Sequence, residues 1–129
     1  MSLEIRIQNN TGGPKAGAVT VELTGRLDTS TAPDLERRLM PTLTPAVKTV
    51  VFDLQNLNFI SSAGLRVFAS ARKLLKDRGG QAAFVNMQPQ INEVFEIIRA
   101  LPGVAVFRDV AEFDAYLAAR QSTYDERHG

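Results

Sequence analysis

The feature that most constrains this chain is a regular alternation of short apolar segments with amphipathic segments of helical length. After an opening pair of strand-like segments, each further strand-like segment is followed by one in which apolar residues recur at helical spacing. A helix between two strands is long enough to cross the face of a sheet and lets the strands pair in parallel. The order β-β-α-β-α-β-α-β-α therefore predicts a single α/β domain.

The strand-like segments differ in their patterns. Leu3–Gln8 and Val19–Thr24 alternate apolar and polar residues, which is typical of half-buried strands. The turn-forming stretch Asn9–Lys15 between them predicts an opening hairpin. Thr49–Leu54 is mostly apolar and begins with three β-branched residues, which predicts burial on both faces. The remaining two predicted strands are Ala82–Val85 and Val104–Phe107.

Helix boundaries are marked by capping residues, proline and glycine. Thr31 is predicted to cap the first helix, and Pro41 to end or kink it. The second helix is predicted over Gly64–Asp77, the third from Pro89, and the fourth after a capping box of Asp109 and Glu112. The positions predicted to face the core are Ala32, Leu35 and Leu39, then Val67, Phe68, Ala71, Leu74 and Leu75, then Ile91, Val94, Phe95 and Ile98, then Val110, Phe113 and Leu117.

The end of the chain is polar. Residues 121–129 contain few apolar side chains, so the domain is predicted to span residues 1–120 and to be followed by a frayed tail.

The composition excludes several kinds of function. Fifteen Lys and Arg residues balance fourteen Asp and Glu residues, and the net charge of +1 offers no field for nucleic acid or anionic lipid. The chain has no cysteine, and its one histidine is His128, so no metal site and no serine-histidine-aspartate triad is expected. No Walker loop is present, and no cofactor and no enzymatic activity are expected. With no secretion signal and no membrane-spanning stretch, a cytoplasmic protein is expected.

Two loops carry polar residues that could form a site. Asn58–Leu65 joins a buried strand to a helix and contains Ser61 and Ser62. A serine at a helix start commonly serves only as a cap. One cap needs only one hydroxyl, however, and Gly64 is expected to leave the first turn bare for a partner. The second loop, Gly25–Pro33, also joins a strand to a helix, so its polar residues are expected to serve as turn and cap or to form a rim beside Ser62.

Both loops resemble the signatures of STAS domains, the family of sulphate transporters and anti-sigma-factor antagonists. The first signature is similar to Gly-Arg-Leu-Asp-x-x-Thr-Ala-Pro-x-Leu at residues 25–35. The second resembles Val-Phe-Asp-Leu at residues 51–54 followed by Phe-Ile-Ser-Ser-Ala-Gly-Leu-Arg at residues 59–66. The resemblance runs from about Leu3 to Arg120 and implies a five-stranded mixed sheet flanked by about four helices.

The resemblance also implies the roles of individual residues. In the family's bacterial antagonists the second motif often reads Asp-Ser-Ser/Thr-Gly-Leu, and the serine after the aspartate accepts phosphate from a serine kinase. Ser62 is therefore the expected phosphorylation site, with Ser61 as the second choice, although Ser61 stands where the family motif has aspartate. The residues expected to contact the partner are Asp28, Thr29, Ser30, Thr31, Ser61, Ala63, Gly64, Leu65 and Arg66.

The implied function is partner switching. Unphosphorylated protein is expected to bind an anti-sigma factor or related serine kinase, and a protein phosphatase acting on Ser62 is expected to restore binding after phosphorylation. Direct binding to nucleic acid or membrane is not expected, and a homodimer is left open. The alternative is a constitutive scaffold or accessory subunit of a signalling or transport complex, in which Ser62 only caps its helix.

Overall fold

The computed structural model describes residues 3–10, 17–100 and 110–128, with the side chains of 10, 98–100, 110 and 123–128 excepted. The strands are β1 (Leu3–Asn10), β2 (Ala18–Leu27), β3 (Thr49–Ile60) and β4 (Gln81–Val85). The helices are α1 (Ala32–Leu39), α2 (Ser62–Asp77), α3 (Pro89–Ala100) and α4 (Val110–His128), with a short 3₁₀ turn over Met40–Thr42.

The four described strands form one mixed sheet in the order β1-β2-β3-β4. β1 pairs with β2 antiparallel, and the pairs β2–β3 and β3–β4 are parallel. The predicted hairpin and the predicted parallel pairing are both confirmed. The predicted strand Val104–Phe107, which would be the fifth, lies outside the described residues, as do most of the predicted hairpin loop and the capping residue Asp109.

β3 is twice as long as the strand predicted over Thr49–Leu54. It continues to Ile60, which pairs with Leu27 at the end of β2. The two faces of β3 differ, because Val50, Phe52 and Leu54 are fully buried while the residues between them are half-buried. The expectation of burial on both faces is therefore wrong.

The predicted helical faces pack on the sheet. In α2 the buried apolar positions are Val67, Phe68, Ala71 and Leu75, with Leu74 half-buried; in α3 they are Ile91 and Val94. Phe95 is half-buried and belongs to an aromatic cluster with Phe52, Phe68 and Phe84, with neighbouring ring centroids 4.8–6.3 Å apart. The cluster joins β3 and β4 to α2 and α3. The side chain of Ile98 lies outside the described part of the chain.

The first and last helices end differently from each other. α1 buries Ala32, Leu35 and Leu39 and stops at Leu39, where Pro41 enters the 3₁₀ turn, as predicted. α4 buries Phe113 and Leu117 but continues to His128, through the segment predicted to be a frayed tail. Gln121, in that segment, is 8% exposed.

Glutamine side chains bond to the backbone of β3 beyond Asp53, where its pairing with β4 ends. Gln88 Nε2 donates to the carbonyl of Gln55 at 2.8 Å, and Gln90 Nε2 donates to the carbonyl of Asn58 at 3.3 Å. Gln121 uses both ends of its amide. Its Oε1 accepts from the Ile60 N–H at 2.9 Å, and its Nε2 donates to the Ile60 carbonyl at 2.8 Å, so α4 is fastened to the last residue of β3.

Candidate functional site

The junction between β3 and α2 places two serines side by side. Ser61 has an extended backbone and occupies the N-cap of α2, and Ser62 is the first residue of the helix. The Ser61 N–H donates to the Leu27 carbonyl at 2.9 Å, which continues the pairing of β2 and β3 by one residue. The helix therefore begins two residues before the predicted start at Gly64.

The hydroxyl of Ser62 is engaged inside the molecule. Ser62 is 8% exposed, and its Oγ donates to Asp114 Oδ2 at 2.9 Å. The backbone N–H of Ser62 donates to Asp114 Oδ1 at 2.8 Å. The carboxylate of Asp114, from α4, thus satisfies a free N–H group at the start of α2 and places negative charge at the positive end of the helix dipole.

Asp114 is a functional residue that no pattern in the sequence indicates. Fifty-two positions separate it from Ser62, and its place on a helix indicates nothing about what its carboxylate touches. Ser61, in contrast, makes no side-chain cap bond, and its buried hydroxyl oxygen has no hydrogen-bond partner among the residues that the structure describes. The carboxylate at the start of α2 therefore comes from position 114 and not from position 61, where the family motif carries aspartate.

The loop between β2 and α1 is held by its own side chains. The carboxylate of Asp28 accepts bonds from the Ser30 N–H at 3.0 Å, the Ser30 hydroxyl at 2.8 Å and the Thr31 N–H at 3.1 Å. Burial raises the pKa of Asp28, but these bonds from Ser30 and Thr31 outweigh it and lower the pKa below its ordinary value.

Thr31 does not cap α1 in the predicted way. It stands at the N-cap position, but its side chain makes no capping bond. Its Oγ1 instead donates to the Arg26 carbonyl at 2.8 Å and accepts from the Asp28 N–H at 2.8 Å, so it closes the loop.

Arg26 lies across the outer side of the same loop. Its guanidinium carbon is 4.0 Å from the centre of the Phe59 ring, and its Nε is 3.7 Å from Asp28 Oδ2. Arg26 and Phe59 pair in register on β2 and β3. The two predicted loops are therefore linked by a stacked cation on their surface as well as by the backbone bond from Ser61 to Leu27.

The structure brings both loops together at one edge of the sheet, as predicted. Of the residues expected to contact a partner, Thr29, Ser30 and Arg66 are exposed, Asp28, Ala63 and Leu65 are half-buried, and Thr31, Ser61 and Gly64 are buried. Their role in binding stays a prediction.

Gly64 has a different role from the one expected. A Cβ atom on Gly64 would lie 2.6 Å from Leu27 Cγ and 3.1 Å from Ile60 Cγ1. Gly64 therefore allows α2 to pack closely on the ends of β2 and β3, and the expectation that it leaves space for a partner is wrong.

Two further features bear on the expected chemistry. Within residues 3–10, 17–100 and 110–128, no group of three or more histidine, cysteine, aspartate or glutamate side chains is placed to hold a metal ion. Over the same part of the chain, no helix combines the length and apolar character that crossing a bilayer requires.

The STAS domain model matches residues 4–113. The chain is 36% identical over 81 residues to BtrV of Bordetella bronchiseptica, described as a candidate anti-sigma factor antagonist, covering 63% of this chain and 70% of that protein. It is 29% identical over 77 residues to an anti-sigma-B factor antagonist of Staphylococcus aureus, covering 60% of this chain and 71% of the relative.

The fold is similar to that of the anti-sigma factor antagonist SpoIIAA. The unphosphorylated form superposes with a TM-score of 0.61 at 20% identity, covering 73% of this chain and 83% of SpoIIAA. The phosphorylated form of the Bacillus protein superposes with a TM-score of 0.59 at 19% identity, covering 73% and 82%. These likenesses establish the fold, and the sequence motifs at the two loops agree with the family match.

Proposed function

Because the chain belongs to the STAS domain family, we propose that it is an anti-sigma-factor antagonist controlled by phosphorylation of Ser62. The unphosphorylated protein binds a serine-kinase anti-sigma factor and releases the sigma factor that this partner holds. Phosphorylation ends the binding, and a phosphatase restores it. The protein itself is not an enzyme in this scheme.

The position of Ser62 carries the proposal. It is the first residue of α2, beside the loop of Asp28, and it occupies the acceptor position of the family motif. Two relatives are described as anti-sigma factor antagonists, and SpoIIAA, of the same fold, has been observed in unphosphorylated and phosphorylated forms.

The chemistry required of Ser62 is simple. The kinase transfers the γ-phosphoryl group of ATP to Ser62 Oγ, so an O–P bond forms, the bond to the β-phosphate breaks, and ADP leaves. The hydroxyl proton passes to a base of the kinase. The phosphatase uses water to cleave the same ester, which regenerates the serine and releases inorganic phosphate.

Phosphate at this place is compatible with the fold. It adds about −1.5 to −2 charges at neutral pH. The start of a helix favours an anion by roughly 0.3–1 kcal/mol, because its dipole is positive there and its N–H groups donate to anions, as the Ser62 N–H does to Asp114. The sheet and its core are therefore expected to stay folded, and the effect of phosphorylation is expected at the β3–α2 junction, where the partner would bind.

The neighbourhood of Ser62 supports the expectation that phosphate weakens binding. The loop of Asp28 is next to it, and the hydrogen bonds that lower the pKa of Asp28 stabilise the negative charge that this carboxylate carries at neutral pH. The partner surface is expected to fit a neutral hydroxyl at this place. A phosphate dianion between that surface and the loop would lose its water without gaining a matching cation, which is unfavourable. A coupling of about 1–3 kcal/mol would weaken binding roughly 5- to 150-fold.

The test is the affinity for a purified serine-kinase anti-sigma factor from the same organism. We expect Ser62→Asp to weaken binding, Ser62→Ala to bind but to resist phosphorylation, and Ser61→Ala to have milder effects in both assays. Ser70→Asp, which adds the same charge on the exposed face of α2, is the matched control. Equal affinity for wild type and Ser62→Asp, with phosphate found elsewhere or nowhere, would rule the switch out.

A scaffold function is the second candidate, and the bond from Ser62 to Asp114 favours it. A hydroxyl that is buried and bonded within the domain serves the structure without any modification. In that case the protein binds its complex constitutively. Mass spectrometry of protein isolated from its host distinguishes the two functions, because a phosphorylated fraction at Ser62 is expected only for the switch.

A further inference from the structure

α4 covers the residue that the proposed switch would modify. Its residues Phe113, Leu117 and Gln121 are buried at helical spacing, and Asp114 lies beside Phe113. Asp114 bonds to both the N–H and the hydroxyl of Ser62. Gln121 bonds to the backbone of Ile60, which lies two residues before Ser62. α4 is thus attached to the β3–α2 junction at two points, two helical turns apart.

We propose that α4 is a strap whose docking is coupled to the chemical state of Ser62. When the hydroxyl is free, Asp114 holds the first turns of α4 against α2. When Ser62 carries phosphate, those turns separate from α2. This inference rests on the proposed function for the modification itself, but the coupling of Ser62 to α4 follows from the contacts between them.

The contact with Asp114 depends on the hydrogen of the hydroxyl group. Ser62 Oγ donates to a carboxylate oxygen 2.9 Å away. Once the proton is replaced by a phosphoryl group, the oxygen has no hydrogen left to donate. The new group carries negative charge beside the carboxylate of Asp114, and like charges at this separation repel.

Phosphate also competes with Asp114 for the start of α2. The carboxylate occupies the Ser62 N–H group at 2.8 Å, and unpaired N–H groups at a helix start are what a phosphate on the first residue would bind. The two anions therefore exclude each other. Because coupling is reciprocal, docking of α4 must oppose phosphorylation as much as phosphorylation opposes docking.

The experiment measures hydrogen exchange by mass spectrometry on the isolated full chain. The peptides of interest cover residues 110–122 of α4, and the peptides of β2 and β3 report on the whole domain. Ser62→Asp supplies the negative charge without a kinase. Ser70→Asp is the control for charge on α2, and Asp114→Asn keeps an acceptor oxygen while it removes the opposing charge.

We expect Ser62→Asp to raise the exchange of residues 110–122 roughly 5- to 150-fold over wild type and over Ser70→Asp, which is the range of ordinary couplings between sites. Exchange of β2, and of β3 before Ile60, should not change. In the Asp114→Asn background the effect of Ser62→Asp should be smaller, because the repulsion has been removed.

Three results would overturn the coupling: unchanged exchange of α4 in Ser62→Asp, an equal rise throughout the domain, or an effect of the same size in the Asp114→Asn background. None of them depends on a partner or kinase. If Ser62→Asp weakens partner binding but leaves the hydrogen exchange of α4 unchanged, the switch is supported and the strap is not. If Ser62→Asp raises the hydrogen exchange of α4 but does not alter partner binding, the strap is supported and the switch is not.

Discussion

Gly64 sets how closely α2 approaches the end of β2. Any side chain at this position would enter the space of Leu27, where a Cβ would be 2.6 Å from Cγ and 2.8 Å from Cδ2. Both side chains involved, Leu27 and Ile60, are fully buried and have little room to move. The residue next to the candidate site is therefore required by packing, and the position of Ser62 depends on it.

Gly64→Ala should destabilise the protein although alanine is the better helix former. Overpacking a core costs about 1–3 kcal/mol, which exceeds the roughly 1 kcal/mol that alanine gains over glycine in a helix. Urea melts would show the loss, and Ser70→Ala on the exposed face is the control for propensity. A stabilised Gly64→Ala protein would mean that α2 can move away from β2 without cost.

Asp28 should make stability depend on pH. Its folded pKa lies below the ordinary value of 3.8, so its contribution is present above that value and is lost as the pH falls through the lower folded pKa. Asp28→Asn should cost about 1 kcal/mol at pH 7, because bonds to a charged acceptor are replaced by weaker ones.

The difference between wild type and Asp28→Asn should shrink as the pH is lowered below 3.8. Urea midpoints at pH 7 and at successively lower pH measure it, with the exposed Glu36→Gln as the comparison. A difference that stays constant over this range would show that the carboxylate is not held in its charged form.

At the scale of elements, α4 is the part of the fold that sequence patterns describe least well. The helical spacing predicts Phe113 and Leu117 as core residues, and both are buried. The sequence after them carries few apolar residues, and among the described side chains there Gln121 attaches α4 through an amide that bonds to backbone. Hydrophobic periodicity cannot detect such an attachment.

Gln121→Ala should release the C-terminal half of α4. It leaves the N–H and carbonyl of Ile60 without the partners they have in the buried junction, which costs about 1–3 kcal/mol. Exchange of amides in α4 and at Ile60 should rise, whereas Ser122→Ala, at the exposed neighbouring position, should change little. Equal exchange in the two variants would contradict the role of Gln121.

The parts of the fold that could be predicted are those that local sequence patterns indicate. The hairpin, the parallel crossovers and the apolar faces of α2 and α3 follow from periods of two and 3.6 residues. The pairing of Leu27 with Ile60 follows from the rule that parallel strands end at one edge, and it places the two loops together. Two features depend on contacts between residues distant in sequence, which no local pattern encodes. They are the bond from Ser62 to Asp114 and the close packing of Gly64 against Leu27.

At the scale of the whole molecule, one core joins all the described layers. Phe68 of α2 contacts Phe52 of β3, Phe84 of β4 and Phe95 of α3, with ring centroids 4.8, 5.1 and 6.3 Å away. Phe68 is 3% exposed, whereas Phe95 is half-buried. The packing of both helices on the sheet therefore depends on Phe68 more than on Phe95.

Phe68→Ala should cost about 3–5 kcal/mol, and Phe95→Ala less, because its ring already meets solvent. Since small domains have only about 5–15 kcal/mol of stability, Phe68→Ala should bring the protein close to unfolding. Urea melts followed by far-ultraviolet circular dichroism compare the two variants. Equal losses, or a loss at Phe68 below about 1 kcal/mol, would place the centre of the core elsewhere.

The glutamines along β3 limit the ways in which another protein can attach. Gln88, Gln90 and Gln121 occupy carbonyls of Gln55, Asn58 and Ile60 that an incoming extended peptide would need for a main-chain ladder. Strand addition at this stretch would first have to break these bonds, and the same bonds remove a template for edge-to-edge aggregation. A partner that contacts this stretch of β3 would therefore recognise side-chain shape and charge rather than extend the sheet.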